Sequence, residues 1–312
     1  MATSPSHSVW IPSVAYEDRS KNEYQQRQFD KDRQYERQVE LILAEMQVQL
    51  LGTAEARTFF QKVSVYGLPS FDNLRFFDNY IASYDNRLKQ PVWTIEYYYG
   101  KHMPKYRPLA PMRIYHFPDL SVHRFFRTED TDYKQSAYFR GHLSTPYNVL
   151  TNPRILHQTF LSTNVAPMMR NIHRPDSIWD RVENYCSFIS RRSKHVFIVT
   201  GTLHLPATEN ETTYKIVGGN RIAVPSHFYK VMLHKSKGGT MSIDAFKVPN
   251  AEGPDEYTRV QHMRVNITTE LPEIERATGL KFYDLLDRAS ILKPHILKYN
   301  YRDRYPNNNV MF

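Results

Sequence analysis

Residues 137–148 read AYFRGHLSTPYN, and Arg140, Gly141 and His142 are adjacent at the centre of this segment. A guanidinium can bind two oxygens of one phosphate, and a neutral imidazole can take a proton from water. Together the two residue types have the chemistry to hold and hydrolyse a phosphodiester. A tripeptide also arises by chance, so a surface arginine beside a turn glycine is the alternative interpretation.

The composition is that of a globular protein with a basic surface. The chain has 312 residues, of which 41% are hydrophobic and 13% aromatic, and this is enough for one large domain. Lys and Arg number 41 against 32 Asp and Glu, which gives a net charge of +9. Such a surface favours polyanions such as nucleic acid or acidic membrane, although a basic surface can also be inert. The single cysteine, Cys186, excludes an internal disulfide and fits a reducing compartment.

The sequence carries no obvious membrane or import signal. It contains no run of about 18 apolar residues, so we expect no membrane span. The first 30 residues include Glu17, Asp18, Glu23 and Asp30, whereas mitochondrial import helices are poor in acidic residues. These features predict a cytoplasmic location.

Three regions differ in their residue pattern. Residues 1–63 comprise an arm rich in Ser and Pro and a charged segment with apolar residues at helical spacing, which predicts an amphipathic helix that packs on its own domain or on a partner. Residues 64–297 have the mixed pattern of a folded domain. Residues 298–312, KYNYRDRYPNNNVMF, form a tail rich in Tyr and Asn.

The pattern of residues 64–297 predicts an α+β fold with a central antiparallel sheet flanked by helices. Aromatic and β-branched residues at 80–84 and 92–99 are divided by Asp85 and Asn86, as in a hairpin. Strands and helices then follow without a regular alternation. The further predicted strands are 195–200, 214–217 and 227–233. The predicted helices are 154–160, 178–190 and 273–288, the last of them interrupted by Gly279 and Leu280.

Several segments resemble those of a known family when they are taken together. They are YGLPS (66–70), VWTIE (92–96), DYKQSAYFRGHL (132–143), TFLSTNVAP (159–167), Trp179 with RVENY (181–185), VTGTLHLP (199–206) and AVPSHFYKVML (223–233). Their order and spacing resemble the DNA/RNA non-specific endonucleases, above all the endonuclease G and exonuclease G branches, over roughly residues 64–292. The resemblance implies a ββα-metal fold, cleavage of DNA and RNA with Mg²⁺ or Mn²⁺, and a homodimer.

The resemblance also implies roles for particular residues. His142 would be the general base that deprotonates water, and Arg140 would contact the phosphate. Asn164 and Asn148 match asparagines of the family's polar site, and Asn164 can equally hold a loop. Glu183 matches an acid that reaches the metal through water, although on an amphipathic helix it would ordinarily be solvated.

The sequence departs from the family pattern at two important positions. Phe139 stands where the family has Asp or Ser, so the site loses a polar neighbour. His173 stands where the family has the Asn that binds the metal directly, and an imidazole suits Mn²⁺ or Zn²⁺ better than Mg²⁺. Asn171 is an alternative ligand after a local shift. Arg170 and Arg174, on either side of His173, can instead form a basic surface that contacts phosphates.

Two functions are consistent with these observations. The first is a metal-dependent nuclease that cleaves DNA and RNA without regard to the sugar. The second is an inactive pseudonuclease that binds partners in a larger assembly through residues 1–51 and 298–312. Familiar relatives are mitochondrial, so resemblance alone would place the protein there instead of in the cytoplasm.

Overall fold

The structure is a computed structural model that describes residues 54–100, 116–146, 149, 152–173, 177–206, 208, 210–251, 267–288 and 291. The side chains of residues 173 and 267–270 are not described. The predicted amphipathic helix within residues 1–51 and the tail of residues 298–312 lie outside the described residues.

The predicted central antiparallel sheet is confirmed. It has six strands in the order β1-β2-β3-β6-β9-β10, and two further pairs, β4-β5 and β7-β8, are antiparallel. The strands are β1 (Leu74–Phe76), β2 (Tyr80–Asp85), β3 (Gln90–Tyr99), β4 (Tyr138–His142), β5 (Val165–Met169), β6 (His195–Leu203), β7 (Ile216–Val217), β8 (Ile222–Ala223), β9 (His227–Lys235) and β10 (Met241–Pro249).

The predicted hairpin at residues 80–99 corresponds to β2 and β3, which pair with a bulge between Ser83 and Tyr84. The predicted strands 195–200 and 227–233 lie within β6 and β9. Of the predicted strand 214–217, only Ile216 and Val217 are paired.

The helices are α1 (Ala54–Val63), α2 (Pro153–Thr159), α3 (Arg170–His173), α4 (Ile178–Arg192) and α5 (Ile267–Thr278). Local sequence sets where α2 and α4 begin. The Asn152 side chain accepts hydrogen bonds from two backbone N–H groups of α2, and Pro153 occupies the first helical position. Ser177 caps α4 in the same way, and two arginines in its last turn complement the helix dipole.

The predicted helix 273–288 is wrong in its second half. Helix α5 ends at Thr278, because Gly279 adopts a left-handed conformation with φ of 71°. Tyr283 is also left-handed, at φ 54°, which a helix would not allow. The chain instead turns back so that Phe282 and Tyr283 enter the core.

The six-stranded sheet separates two apolar layers. On one face, Phe59 and Val63 of α1 and Ile274 of α5 pack against the sheet. On the other face, α4 and the β4-β5 strand pair pack against it, through residues such as Trp179 and Met168. Successive side chains of a strand point to opposite faces of the sheet. Polar side chains of the sheet that face α4 therefore also point into this second layer. None of the helices within the described residues is long and apolar enough to cross a membrane.

Candidate active site

Strand β4, which pairs with β5, places Arg140 and His142 on one face. Arg140 lies opposite Pro167 and His142 lies opposite Val165 in the antiparallel register. Since successive side chains point to opposite faces, Arg140 and His142 share a face, and Phe139 and Gly141 are on the other. Arg140 borders a small cleft whose walls also include His116 and Tyr133.

Gly141 is needed between these two residues because of close packing behind the strand. A Cβ atom at position 141 would lie 2.7 Å from both Cβ and Cε of Met168. Such a contact is shorter than carbon atoms tolerate, so any larger residue would push the two strands apart. The glycine thereby allows strand β4, with Arg140 and His142, to pack closely against β5.

A second histidine, His116, contacts His142. The two Nε2 atoms are 3.2 Å apart, and both rings meet the ring of Phe160 edge-on. Sequence analysis missed this residue, because it precedes His142 by 26 positions and no local spacing links them. The bridge between Phe117 and Leu161 brings it there.

Arg140, the predicted phosphate contact, is held at the cleft by an acid and an aromatic ring. Its guanidinium pairs with the Asp130 carboxylate, donates a 2.6 Å hydrogen bond to the Asp130 carbonyl and lies 4.7 Å from the Tyr133 ring centroid. The Asp130 side chain is half exposed, so solvent screens this ion pair.

Arg170 lies over Phe139, with its Cζ atom 4.4 Å from the ring centroid. By strand alternation, Phe139 is on the face opposite to Arg140 and His142. The apolar residue that replaces the family's Asp or Ser is therefore directed away from the cleft in this structure.

Asn164 is fully buried and fastens the segment that follows His142. Its Oδ1 accepts a hydrogen bond from the Ser144 N–H at 2.8 Å, and its Nδ2 donates to the carbonyls of Ser144 and Thr159. Its own carbonyl accepts from the Leu143 N–H. The side chain is thus engaged with the backbone, so the loop-holding interpretation describes the geometry observed.

Glu183 belongs to a buried polar network centred on Lys230. Lys230 Nζ lies 2.8 Å from Glu183 Oε1 and donates a hydrogen bond to the Thr200 hydroxyl. Its ammonium also lies 4.9 Å from the Trp179 ring centroid. The Lys230 and Glu183 side chains are only 2% and 7% exposed. This network ties helix α4 to the centre of the sheet.

Glu96 is influenced by the Lys230 charge and binds the segment that follows the candidate base. Its Oε1 accepts hydrogen bonds from the Ser144 hydroxyl and the Thr145 N–H, at 3.1 and 3.2 Å. Burial raises the pKa of Glu96 to about 7, although the Lys230 charge opposes this shift. Burial lowers the pKa of Lys230, but the Glu183 and Glu96 carboxylates outweigh burial and raise that pKa overall.

Replacing Glu96 by Gln should change how stability depends on pH. The folded-state pKa of about 7 exceeds the usual 4.5, so the Glu96 contribution is fully present below about pH 4.5 and is lost as pH rises through 7. Relative to Glu96→Gln, the wild-type free energy of unfolding should fall by up to about 3 kcal/mol between about pH 4.5 and 8. Urea unfolding of both proteins measures this difference, in which the other titrating groups cancel. A difference that stays constant over this range would contradict the raised pKa.

The predicted metal ligands are described in part. Glu183 does not fit a direct metal ligand here, because its carboxylate is ion-paired with Lys230. The His173 backbone ends α3, but its side chain, Asn148 and Arg174 lie outside what the structure describes. Among the described residues, His, Cys, Asp and Glu form no group of three around a common metal position.

Asn171, the alternative ligand, fits better. Its Nδ2 donates a hydrogen bond to the Ala251 carbonyl at 3.0 Å. Its Oδ1 is buried and accepts no hydrogen bond from the described residues. A buried amide oxygen of this kind is a suitable ligand for Mg²⁺ or Mn²⁺, which prefer oxygen donors and keep several waters.

Comparison with known proteins agrees with this fold. Residues 61–289 match the family model described as DNA/RNA non-specific endonuclease. Human mitochondrial endonuclease G is 32% identical over 74% of this chain and 77% of the relative, and human mitochondrial nuclease EXOG is 29% identical over 78% and 64%.

A solved structure of EndoG in its complex with EndoGI matches with a TM-score of 0.67 and 27% identity, over 78% of this chain and 97% of that chain. The match confirms the predicted ββα-metal nuclease fold. From the family model and the curated relatives together, the chain belongs to the DNA/RNA non-specific endonuclease family and is related to endonuclease G and nuclease EXOG.

Proposed function

We propose that this protein is a divalent-cation-dependent nuclease that hydrolyses phosphodiester bonds in DNA and RNA, with His142 as the general base. The observation that carries the proposal is the placement of Arg140 and His142 on one face of strand β4 within the family-matched region. A guanidinium and an imidazole on the same face can serve one phosphate, the first as an anchor and the second as the base.

His116 would determine which nitrogen of His142 acts as the base. At an Nε2 to Nε2 distance of 3.2 Å, a hydrogen bond between two neutral rings places a proton on one of these atoms. When His142 carries that proton, its Nδ1 has a lone pair with which to deprotonate water. As His142 becomes positively charged, its Nε2–H donates more strongly to His116. His116 is then a positioning residue that also stabilises the imidazolium.

When substrate enters, the Arg140 guanidinium would exchange the Asp130 carboxylate for a phosphate group. The exposed Asp130 carboxylate holds the guanidinium at the cleft, and a phosphate with two oxygens can replace that carboxylate. Asn164 fixes the backbone immediately after His142 and so helps to keep the imidazole in contact with His116, which lines the cleft.

A divalent cation would be held through Asn171, whose amide oxygen is unpaired among the described residues. When bound, the cation supplies positive charge that polarises a phosphate oxygen. Glu183 would act from further away by holding Lys230 and helix α4 in place.

The inactive alternative loses part of its support because of where Phe139 lies. It was predicted because Phe139 removes a polar neighbour from the site and His173 replaces the metal-binding Asn of the family. The Phe139 ring lies under Arg170, on the face of strand β4 opposite to Arg140 and His142. The ring therefore does not obstruct Arg140 or His142, which supports the active alternative.

The range of substrates tests the proposal. Purified full-length protein should degrade plasmid DNA and single-stranded RNA at rates within about tenfold in Mg²⁺ or Mn²⁺, because Arg140 and His142 act on the phosphate and not on the sugar. EDTA should stop both reactions. Cleavage of only one polymer would contradict the absence of sugar preference, and cleavage of neither would remove the enzymatic proposal.

His116 gives a separate prediction. His116→Ala should lower kcat by about 10- to 100-fold with little change in KM, because His142 loses the group that orients it. His116→Gln keeps an acceptor for the His142 Nε2–H and should restore much of the rate. Nitrogen-15 NMR of the His142 ring should show loss of the single tautomer in His116→Ala and its return in His116→Gln. Equal losses in both variants, with an unchanged tautomer, would mean that His116 only fills space.

A further inference from the structure

One loop beside the cleft has no role in the chemistry described so far. Residues 119–127, here called the aromatic loop, read DLSVHRFFR. The residues on either side of the loop, Phe117 and Pro118 before it and Thr128 and Glu129 after it, line the same cleft as Arg140. The aromatic loop therefore rises from the wall of the candidate active site.

The aromatic loop is firmly attached at its base. Val122 is buried, and Arg127 donates three hydrogen bonds to the carbonyls of Leu120 and Val122. The Tyr84 hydroxyl donates to the Phe126 carbonyl at 3.0 Å. These contacts hold the backbone from both the loop itself and strand β2, so the tip is presented on an ordered base.

Two large apolar side chains are exposed at the tip. Phe125 is 63% exposed and Phe126 is 39% exposed. The Arg124 guanidinium lies 5.1 Å from the Phe125 ring centroid, and the His123 ring contacts both phenylalanines. Exposing two adjacent aromatic rings on an anchored loop is unfavourable in water, and such a patch is typical of a binding surface. An arginine beside exposed aromatic rings matches a ligand that has both flat bases and phosphates.

We propose that the aromatic loop is a stacking platform for unpaired nucleobases, with Phe125 and Phe126 against the bases and Arg124 on a backbone phosphate. The inference rests on the proposed nuclease function and specifies how substrate lies beside the cleft. The local charge supports this arrangement, because Arg124 stands at the tip of the loop. The exposed carboxylates of Glu129 and Asp130 lie at its base, where Arg140 neutralises Asp130. A single strand held at the tip is thereby directed towards Arg140.

The experiment is fluorescence anisotropy of a labelled 12-nucleotide single strand with the full-length protein in EDTA, so that binding is measured without cleavage. Phe125→Ala/Phe126→Ala should weaken binding at least about tenfold, while the salt dependence is unchanged. Arg124→Ala should instead reduce the slope of log K against log salt by about one. Phe71→Ala is the matched control, because Phe71 is 72% exposed and lies outside the aromatic loop. Thermal unfolding of each variant verifies that the fold is retained.

The outcomes separate this inference from the nuclease proposal. Loss of single-strand binding in the double variant, with binding of the matching duplex reduced less than about threefold, supports base stacking. Equal losses for single strand and duplex, an equal loss in Phe71→Ala, or no loss in the double variant would overturn it. Binding of the wild type to anionic vesicles in place of the oligonucleotide would overturn it too. A protein that binds the strand through the aromatic loop but cuts nothing would refute only the nuclease proposal.

Discussion

Replacing His142 by alanine is expected to lower the rate of plasmid nicking by about 10²- to 10⁴-fold, the contribution usual for a positioned general base. His142 lies on the same face of strand β4 as Arg140 and contacts His116 through Nε2. Without the His142 imidazole, the reaction loses the proposed base, whereas Arg140 can still bind phosphate. The loss should therefore appear in kcat and leave KM nearly unchanged. Initial rates on supercoiled plasmid measure the effect.

His195→Ala is a matched control for this substitution. His195 lies at the start of β6, where its Nδ1 is hydrogen-bonded with the Tyr97 hydroxyl at 2.8 Å. Its replacement removes the same atoms from the chain and should leave the nicking rate within about threefold. If His142→Ala keeps most of its activity while remaining folded, the base must be another group.

Replacing Lys230 by methionine should cause the largest loss of stability, about 3–5 kcal/mol in the free energy of unfolding. The substitution leaves the Glu183 carboxylate, which is 7% exposed, without its partner in the interior. The Thr200 hydroxyl also loses the hydrogen bond from Nζ. A charge that is buried without a partner is much more costly than the loss of a solvated ion pair. Urea unfolding monitored by tryptophan fluorescence gives the difference.

Two further variants test the reason for this loss. Lys247→Met removes a lysine that pairs with Glu273, whose side chain is 47% exposed, and should cost no more than about 1 kcal/mol. Adding Glu183→Gln to Lys230→Met removes the stranded charge and should recover a substantial part of the stability. If the double variant is no more stable than Lys230→Met, the loss reflects altered packing and not an uncompensated carboxylate.

The sequence predicted the fold well because its signals are local. Aromatic and β-branched residues on either side of Asp85 and Asn86 predict the hairpin at residues 80–99. The hairpin is present as the paired strands β2 and β3. The pattern predicted an interruption of the last helix at Gly279 and Leu280, whereas in the structure α5 ends there, with Gly279 in a left-handed conformation. The chain turns back after α5 because Phe282 and Tyr283 are buried in the core.

Only the part of the candidate site that lies within a sequence motif could be predicted. Arg140 and His142 were predicted from the motif, but their shared face depends on strand β4, which the residue pattern did not predict. His116 reaches His142 through a bridge between distant segments, and no periodicity reveals such a contact. Likewise, Glu183 follows Trp179 at a helical spacing, but its partner Lys230 lies on another element, so the ion pair could not be inferred.

The measurement that tests the central claim most directly is nicking of supercoiled plasmid by the purified full-length chain and by His142→Ala, side by side, in Mg²⁺, Mn²⁺ and Zn²⁺ and in EDTA. We predict nicking by the wild type that requires a divalent cation and is lost in His142→Ala. Equal nicking by both proteins would reveal a contaminating nuclease or a different base. Absence of nicking by the folded wild type in every metal would contradict the proposed function.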